Sequence, residues 1–245
     1  MASQGTELAG GDLKPRKLGL ADLSAAVHTV YVTRLQQLMR DSLLHYAYGS
    51  TAKPPSRTRE MLFYILLYPA WANLLRQGKL WGVGHAYSLM VWGSASSQPK
   101  QPESPLSRIV GAILSRLSKL SGLLDTPEQK KRVKEFGEKA KLCVGESLGD
   151  KVQDMTTVEA LLTLKEQRHK GYASSLVRAM MDQADEEGRG IWLVNSNIVD
   201  NTPFYESLGF KTVNYIVLGD DNPAWTGDPV KLALMVREPT ARSKE

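Results

Sequence analysis

A chain of 245 residues, 42% hydrophobic and 23% charged, is long and apolar enough to bury a core of its own as one large domain. Its single cysteine, Cys143, rules out a disulfide framework within the chain and makes a reducing, cytoplasmic location the simplest expectation. The net charge of +5 suits a polyanionic ligand, but no nucleic-acid-binding motif accompanies it, so no nucleic-acid partner is expected.

In chain order, residues 1–14 lack the apolar core of a signal peptide and read as a disordered leader. A short strand over 17–20 precedes a helix over 23–44, N-capped by Asp22. A polar, proline-containing loop (49–56) leads to a second helix over 57–77. Its stretch 61–75 is the most apolar of the chain, yet it holds Pro69 and is flanked by Arg59 and Arg76. A buried helix is the reading, and no membrane partner is expected. Residues 79–93 form a hairpin turning at Gly84 and His85, and 94–105 read as a Ser/Gln/Pro linker.

Two amphipathic helices follow. Ile109, Val110, Ile113, Leu114, Leu117 and Leu120 line one face of the first, and Val133, Phe136 and Ala140 line the second. Much of the positive charge lies here, since residues 97–150 hold ten Lys or Arg against seven Asp or Glu. The remaining elements are a strand over 158–164, a helix over 171–187, a strand over 190–195, a short helix within 196–210, and strands over Lys211–Leu218 and Val230–Arg237. Strands alternating with helices, with hairpins at both ends, predict an α/β fold with a mixed, twisted sheet flanked by helices. The domain spans 15–238, with 239–245 as a flexible tail.

The most informative run is Arg168, His169, Lys170, Gly171, Tyr172, Ala173, an R-x-x-G-x-A pattern between an apolar strand and an amphipathic helix. Such a turn leaves backbone N–H groups unpaired at the positive end of a helix dipole and can cradle a pyrophosphate. Gly171 allows close backbone approach. Neither the dinucleotide G-x-G-x-x-G nor the P-loop G-x-x-x-x-G-K-[ST] is present. The run resembles motif A of the GNAT superfamily of acetyl-CoA-dependent N-acetyltransferases, [QR]-x-x-G-x-[GA]. A second block, SNIVDNTPFYESLGF over 196–210, ends in N-x-P-F-Y-E-x-L-G-F and resembles motif B in the family's order and spacing. Its Asn-x-Pro-Phe-Tyr-Glu form is most similar to the puromycin N-acetyltransferase subgroup. Residues 80–93 resemble the family's second and third strands, with Trp92 near the end of the third. The resemblance covers 15–238 and is specific over 158–210.

The resemblance implies a GNAT fold of six to seven strands, with a helical insertion (97–150) between the third and fourth. It implies an acyltransferase that moves an acetyl group from acetyl-CoA, without a metal, to a primary amine of a small molecule. A protein (lysine or N-terminal) acetyltransferase and a non-catalytic acyl-CoA-binding module are the alternatives. A monomer or a homodimer is expected. The basic helix over 106–124 then packs on the core or lines the acceptor pocket; a membrane-surface segment is its other reading.

Acetyl transfer requires a deprotonated amine, a polarised thioester carbonyl and a proton for the departing thiolate. In the family the fourth and fifth strands splay, the pantetheine arm lies between them, and a fourth-strand N–H meets the acetyl oxygen. The matching positions are Leu162, Thr163 and Leu164, acting through their main chain. Many members carry proline where this chain has Lys165, which puts the local strand bulge in question. Arg168, His169, Lys170, Gly171, Tyr172 and Ala173 would hold the pyrophosphate. Asn201 falls on the motif B asparagine that touches the cofactor's amide arm, though a plain helix N-cap would look the same. Tyr205 falls on the motif B tyrosine that protonates the thiolate. A phenol pKa of about 10 keeps it protonated at neutral pH; packing of the short helix is the alternative. Glu159 shares a face with Leu161 and Thr163 by period-2 alternation, and a carboxylate there is costly to bury. It is expected to face a wet cavity as the general base, or else to be an ordinary exposed glutamate, with Asp154 and Glu146 as substitutes. His28, His45, His85 and His169 are scattered without ligand spacing, so no metal is expected. His45, Tyr46 and Tyr48 border the acceptor site or pack on the core.

Overall fold

The structure, a computed structural model, describes residues 13–38, 40–49, 56–98 and 104–240. Most of the expected leader, the loop at 50–55, part of the linker and the end of the tail lie outside the described residues. Seven strands form one sheet: β1 (Arg16–Lys17), β2 (Leu80–Val83), β3 (Ser88–Gly93), β4 (Thr156–Thr163), β5 (Ile191–Asn195), β6 (Lys211–Leu218) and β7 (Val230–Arg237). Their order is β1-β2-β3-β4-β5-β7-β6, and only β4 and β5 run parallel.

The helices are α1 (Leu23–Gln37), α2 (Ser42–Leu44), α3 (Arg57–Arg76), α4 (Pro105–Lys119), α5 (Pro127–Leu148), α6 (Tyr172–Glu186) and α7 (Ile198–Glu206). One sheet face, with Met90, Trp92, Val158, Ile191, Leu193 and Met235, buries Leu176, Val177 and Met180 of α6. On the other, Leu89, Val91 and Leu162 meet α1 and α3, while Ile216, Leu232 and Leu234 meet Tyr46 and α5. This GNAT-like layering places α4 and α5 between β3 and β4 in the chain. Among the described residues no helix is long and apolar enough to cross a membrane.

The parallel pairing is short. β4 meets β5 only from Thr156 to Val158, opposite Ile191 to Leu193, although β4 runs on to Thr163 against β3 and β5 to Asn195 against β7. Val91 lies opposite Ala160 and Trp92 opposite Val158, so Glu159 is an extra residue in β4. A bulge of this kind bends its strand and increases the local twist, and it sits where the two strands part. The sheet therefore forks just past Val158.

Several expectations change. The single first helix breaks after Gln37, because Asp41 leaves helical geometry and accepts the Leu44 N–H at 2.9 Å, starting α2, which runs into a π-turn over His45–Gly49. The buried residues of α5 are Gln129, Arg132 and Cys143, with Phe136 and Ala140 packed beside them, and Val133 is exposed. In α4 the expected core face is also exposed, and Gly111 is its buried residue.

Candidate active site

The phase of β4 decides which backbone groups face the fork. Thr156 N–H donates across β5's side, to Gly190 C=O at 3.0 Å, whereas Leu164 N–H donates to Tyr87 C=O beyond β3 at 3.0 Å. Alternation then turns the Leu162 N–H toward β3 and leaves those of Leu161 and Thr163 facing the gap. Of the three positions expected from the motif, only Thr163 offers its N–H there, joined by Leu161. The bulge in question at Lys165 lies upstream, at Glu159.

Past β4 the chain makes one 3-10 turn (Lys165–Gln167), and Arg168 Nε reaches back to Thr163 C=O at 3.4 Å. His169 (φ +61°) and Gly171 (φ +82°) are both left-handed. Gly171 caps α6, and the first bond of that helix runs from Ser175 N–H to Gly171 C=O at 2.9 Å. The N–H groups of His169 through Ser174 find no acceptor among the described residues. Successive N–H groups in a turn of this kind make an anion-binding concavity, and the helix dipole adds to it. A Cβ on Gly171 would meet only Leu13 Cδ2, at 3.9 Å, so there is room for a ligand in front of the loop. Lys170 Nζ rests on Gln167 Oε1 at 2.9 Å, and His169 is exposed. Tyr172 is buried and, with half-buried Ala173, ties the loop to the core through its side chain.

On the other side of the fork, Asn197 caps α7 by accepting the Asp200 N–H at 3.2 Å. Asn201 is therefore not the N-cap; it lies within α7 and is exposed. Tyr205 is 7% exposed, its ring 5.0 Å from Phe204 and 5.7 Å from Phe210. Burial pushes its phenol pKa up. Asn195, which the sequence did not single out, is buried at the end of β5. It donates to Thr202 Oγ1 at 3.1 Å and accepts the Asn197 N–H at 3.1 Å, fixing α7 to the strand. Its signal was a lone amide closing an apolar strand.

Glu159 does not share a face with Leu161 and Thr163. The extra residue at the bulge reverses the alternation, and the side chain turns to the α1/α3 face, where Oε1 accepts from Lys79 Nζ at 3.1 Å beside Gly93. It stands at the apex of the fork, partly open to solvent. Asp154 is exposed, 3.8 Å from Arg189, and Glu146 is exposed on α5.

Along α1, Thr29 donates to Ala86 C=O at 2.7 Å and Gln36 Nε2 to Glu166 at 3.3 Å. On the same stretch the Thr33 hydroxyl and Gln36 Oε1 are buried without a hydrogen-bond partner among the described residues. Neither was legible from the sequence, because their meaning depends on which face of α1 meets the sheet. Ser196 bonds Asp41, and Ser42 N–H donates to Ser196 C=O at 3.2 Å, pinning α2 to the end of β5. Of the aromatic cluster, Tyr46 is core: its hydroxyl donates to Glu135 at 2.5 Å, and burial, then that carboxylate, push it up to about 12. His45 packs edge-on against Trp225. Tyr48 lines a recess with Arg34, Phe63 and Asp125, where the Arg34 guanidinium lies 4.0 Å from the Phe63 ring centre.

Residues 135–212 match the model of the acetyltransferase (GNAT) domain. A 75-residue segment is 37% identical to an uncharacterized N-acetyltransferase of Schizosaccharomyces pombe (strain 972 / ATCC 24843), covering 31% of this chain and 28% of that protein's length. The chain is similar over 93% of its length to the crystal structure of arylalkylamine N-acetyltransferase 2 from Aedes aegypti (TM-score 0.51, 15% identity, 99% of that chain). It is likewise similar over 94% of its length to a structure from Corynebacterium glutamicum ATCC 13032 described as histone acetyltransferase HPA2 and related acetyltransferase (TM-score 0.50, 12% identity, 98% of that chain). These likenesses establish the GNAT-like fold. The domain match and the acetyltransferase relative support an acyltransferase.

Proposed function

We propose that the protein transfers an acetyl group from acetyl-CoA directly to the primary amine of a small molecule. The observation that carries the reading is the fork past Val158 and Leu193, flanked by a loop whose N–H groups from 169 to 174 have no acceptor among the described residues. In this reading the loop from Arg168 to Ala173 holds the pyrophosphate, with Arg168 and Lys170 adding positive charge. The N–H groups of Leu161 and Thr163 line the pantetheine arm, and Asn201 meets its amides. The amine nitrogen bonds the acetyl carbon as the carbon–sulfur bond breaks. Glu159, at the apex, takes the amine proton directly or through water, and Tyr205 gives its proton to the departing thiolate.

The recess of Arg34, Tyr48, Phe63 and Asp125, closed by the start of α5 against α1 and α3, supports a small acceptor over a polypeptide. So does the motif B form that resembles the puromycin N-acetyltransferase subgroup. The fold neighbours do not decide this, since one is described as an arylalkylamine and the other as a histone acetyltransferase. The buried thiol of Cys143, without a cysteine partner anywhere in the chain, is consistent with a cytoplasmic enzyme. Incubation with acetyl-CoA and a panel of amines, following free thiol release, tests the reading. Turnover of at least one small amine is expected; CoA binding without turnover of any amine or peptide would instead indicate an acyl-CoA-binding module.

A further inference from the structure

Helix α4 is amphipathic, yet it packs through a narrow arc of small residues and turns its apolar arc outward. Leu106, Ile109, Val110, Ile113, Leu117 and Leu120 recur at helical spacing on the solvent side, with Leu106, Ile109 and Ile113 71%, 59% and 51% exposed. The inward arc is mostly small, with Ser107, Gly111 and half-buried Ser115 and Ser118, and half-buried Leu114 at its edge. Specific contacts hold this orientation. Arg76 of α3 donates to Ser107 Oγ at 2.9 Å, and its guanidinium presses so close to Gly111 that a Cβ there would stand 2.4 Å from it. Met61 and Ile65 lie on the same side of α3 as Arg76, by helical spacing, and they are exposed too. Monomers rarely expose a contiguous surface of this kind without a partner for it.

Charge selects the partner. Residues 104–124 carry Arg108, Arg116 and Lys119, all exposed, and no Asp or Glu. Helical geometry puts Arg116 at one border of the apolar arc, with Lys119 and Arg108 next around the helix. A second copy docking through the same face would set these cations against their own images, with no acidic residue of α4 to answer them. We propose that α4 lies in the plane of an anionic lipid surface, its apolar arc among the acyl chains and Arg116 and Lys119 on the headgroups.

Cosedimentation of the full chain with phosphatidylcholine vesicles, with and without phosphatidylserine, tests this. Binding is expected with phosphatidylserine and to weaken as salt rises. Ile113→Asp should abolish it, and the double variant R116E/K119E should weaken it by roughly tenfold or more. All three sites are exposed, so circular dichroism and acetyl transfer in solution should match the parent protein. If Ile113→Asp does perturb the fold, Ile109→Asp tests the same arc. Equal binding to both vesicle types, or binding insensitive to these substitutions, would overturn the proposal. So would failure to bind either vesicle, and if sedimentation velocity then shows a dimer lost in Ile113→Asp, the face belongs to self-association.

Discussion

In the proposed reaction Tyr205 is both a packing residue and the proton donor. Its ring is held by Phe204 and Phe210, and burial raises its pKa, so the proton is retained at neutral pH. Tyr205→Phe keeps the ring contacts, and kcat is expected to fall ~10 to 1,000-fold with CoA affinity nearly unchanged. The loss should shrink for an acyl donor with a more acidic thiol; full activity in the variant would leave packing as the only role. At Gly171 the left-handed backbone disfavours any side chain, but only Leu13 stands near a Cβ. Gly171→Asp should therefore fold and should weaken CoA binding at least roughly tenfold in calorimetric titration, by charge repulsion in the loop. Gly171→Ala carries the strain without the charge and should lose far less. Glu159→Gln should lower kcat/KM most for amines of high pKa, which arrive protonated. Its exposed pairing with Lys79 contributes only ~0–1 kcal/mol, so a large change in stability would mean that the carboxylate is structural.

Among the elements, α6 must stay fixed to the sheet for its N-terminus to hold a ligand. Its far end is held by Asp185, whose carboxylate accepts from Arg237 of β7 at 2.8 and 2.7 Å and from Thr240 N–H at 2.9 Å. The guanidinium beside it holds the Asp185 carboxyl well below the usual carboxylate range. A lowered folded-state pKa stabilises the fold above the unfolded value of ~3.9, and that contribution is lost as pH falls below it. Asp185→Asn leaves Arg237 nearly buried without a counter-charge, and it should cost about 3 kcal/mol in denaturant melts at neutral pH. The gap from the parent protein should narrow below ~pH 4. A constant gap across that range would mean that the hydrogen bonds, not the charge, hold the helix. On the opposite face α5 is anchored by Arg132, which donates to Tyr46 C=O at 2.8 Å with its guanidinium over the Tyr46 and Trp225 rings.

At the scale of the molecule, the chain between β3 and β4 does two things. Leu124, Asp125 and Gln129 wall a recess against α1 and α3, while α4 turns its apolar arc away from the core. If the recess admits the acceptor, an extended polypeptide meets the walls made by Phe63 and Leu124, and small amines should be acetylated much faster than unstructured peptides under equal acetyl-CoA. Robust peptide acetylation with no small amine turned over would show that acceptors enter by another route.

The sequence alone determined the strand and helix pattern from 156 to 237 and the turn at 168–173, because these rest on local signals: alternation, a glycine in a left-handed cap and a helix that must start where a strand stops. The break at Asp41 was a local signal as well, a capping side chain inside an otherwise helical pattern. Tertiary structure decided the rest. One extra residue at Glu159 reverses the phase of β4, so the N–H groups facing the fork are those of Leu161 and Thr163, and the carboxylate points to Lys79. Alternation counted along a single strand cannot detect this, since a bulge exists only relative to the strand beside it. The same holds for α4: periodicity finds its apolar arc, but which arc faces inward was decided by Arg76 pressing on Ser107 and Gly111, a contact between helices far apart in the chain.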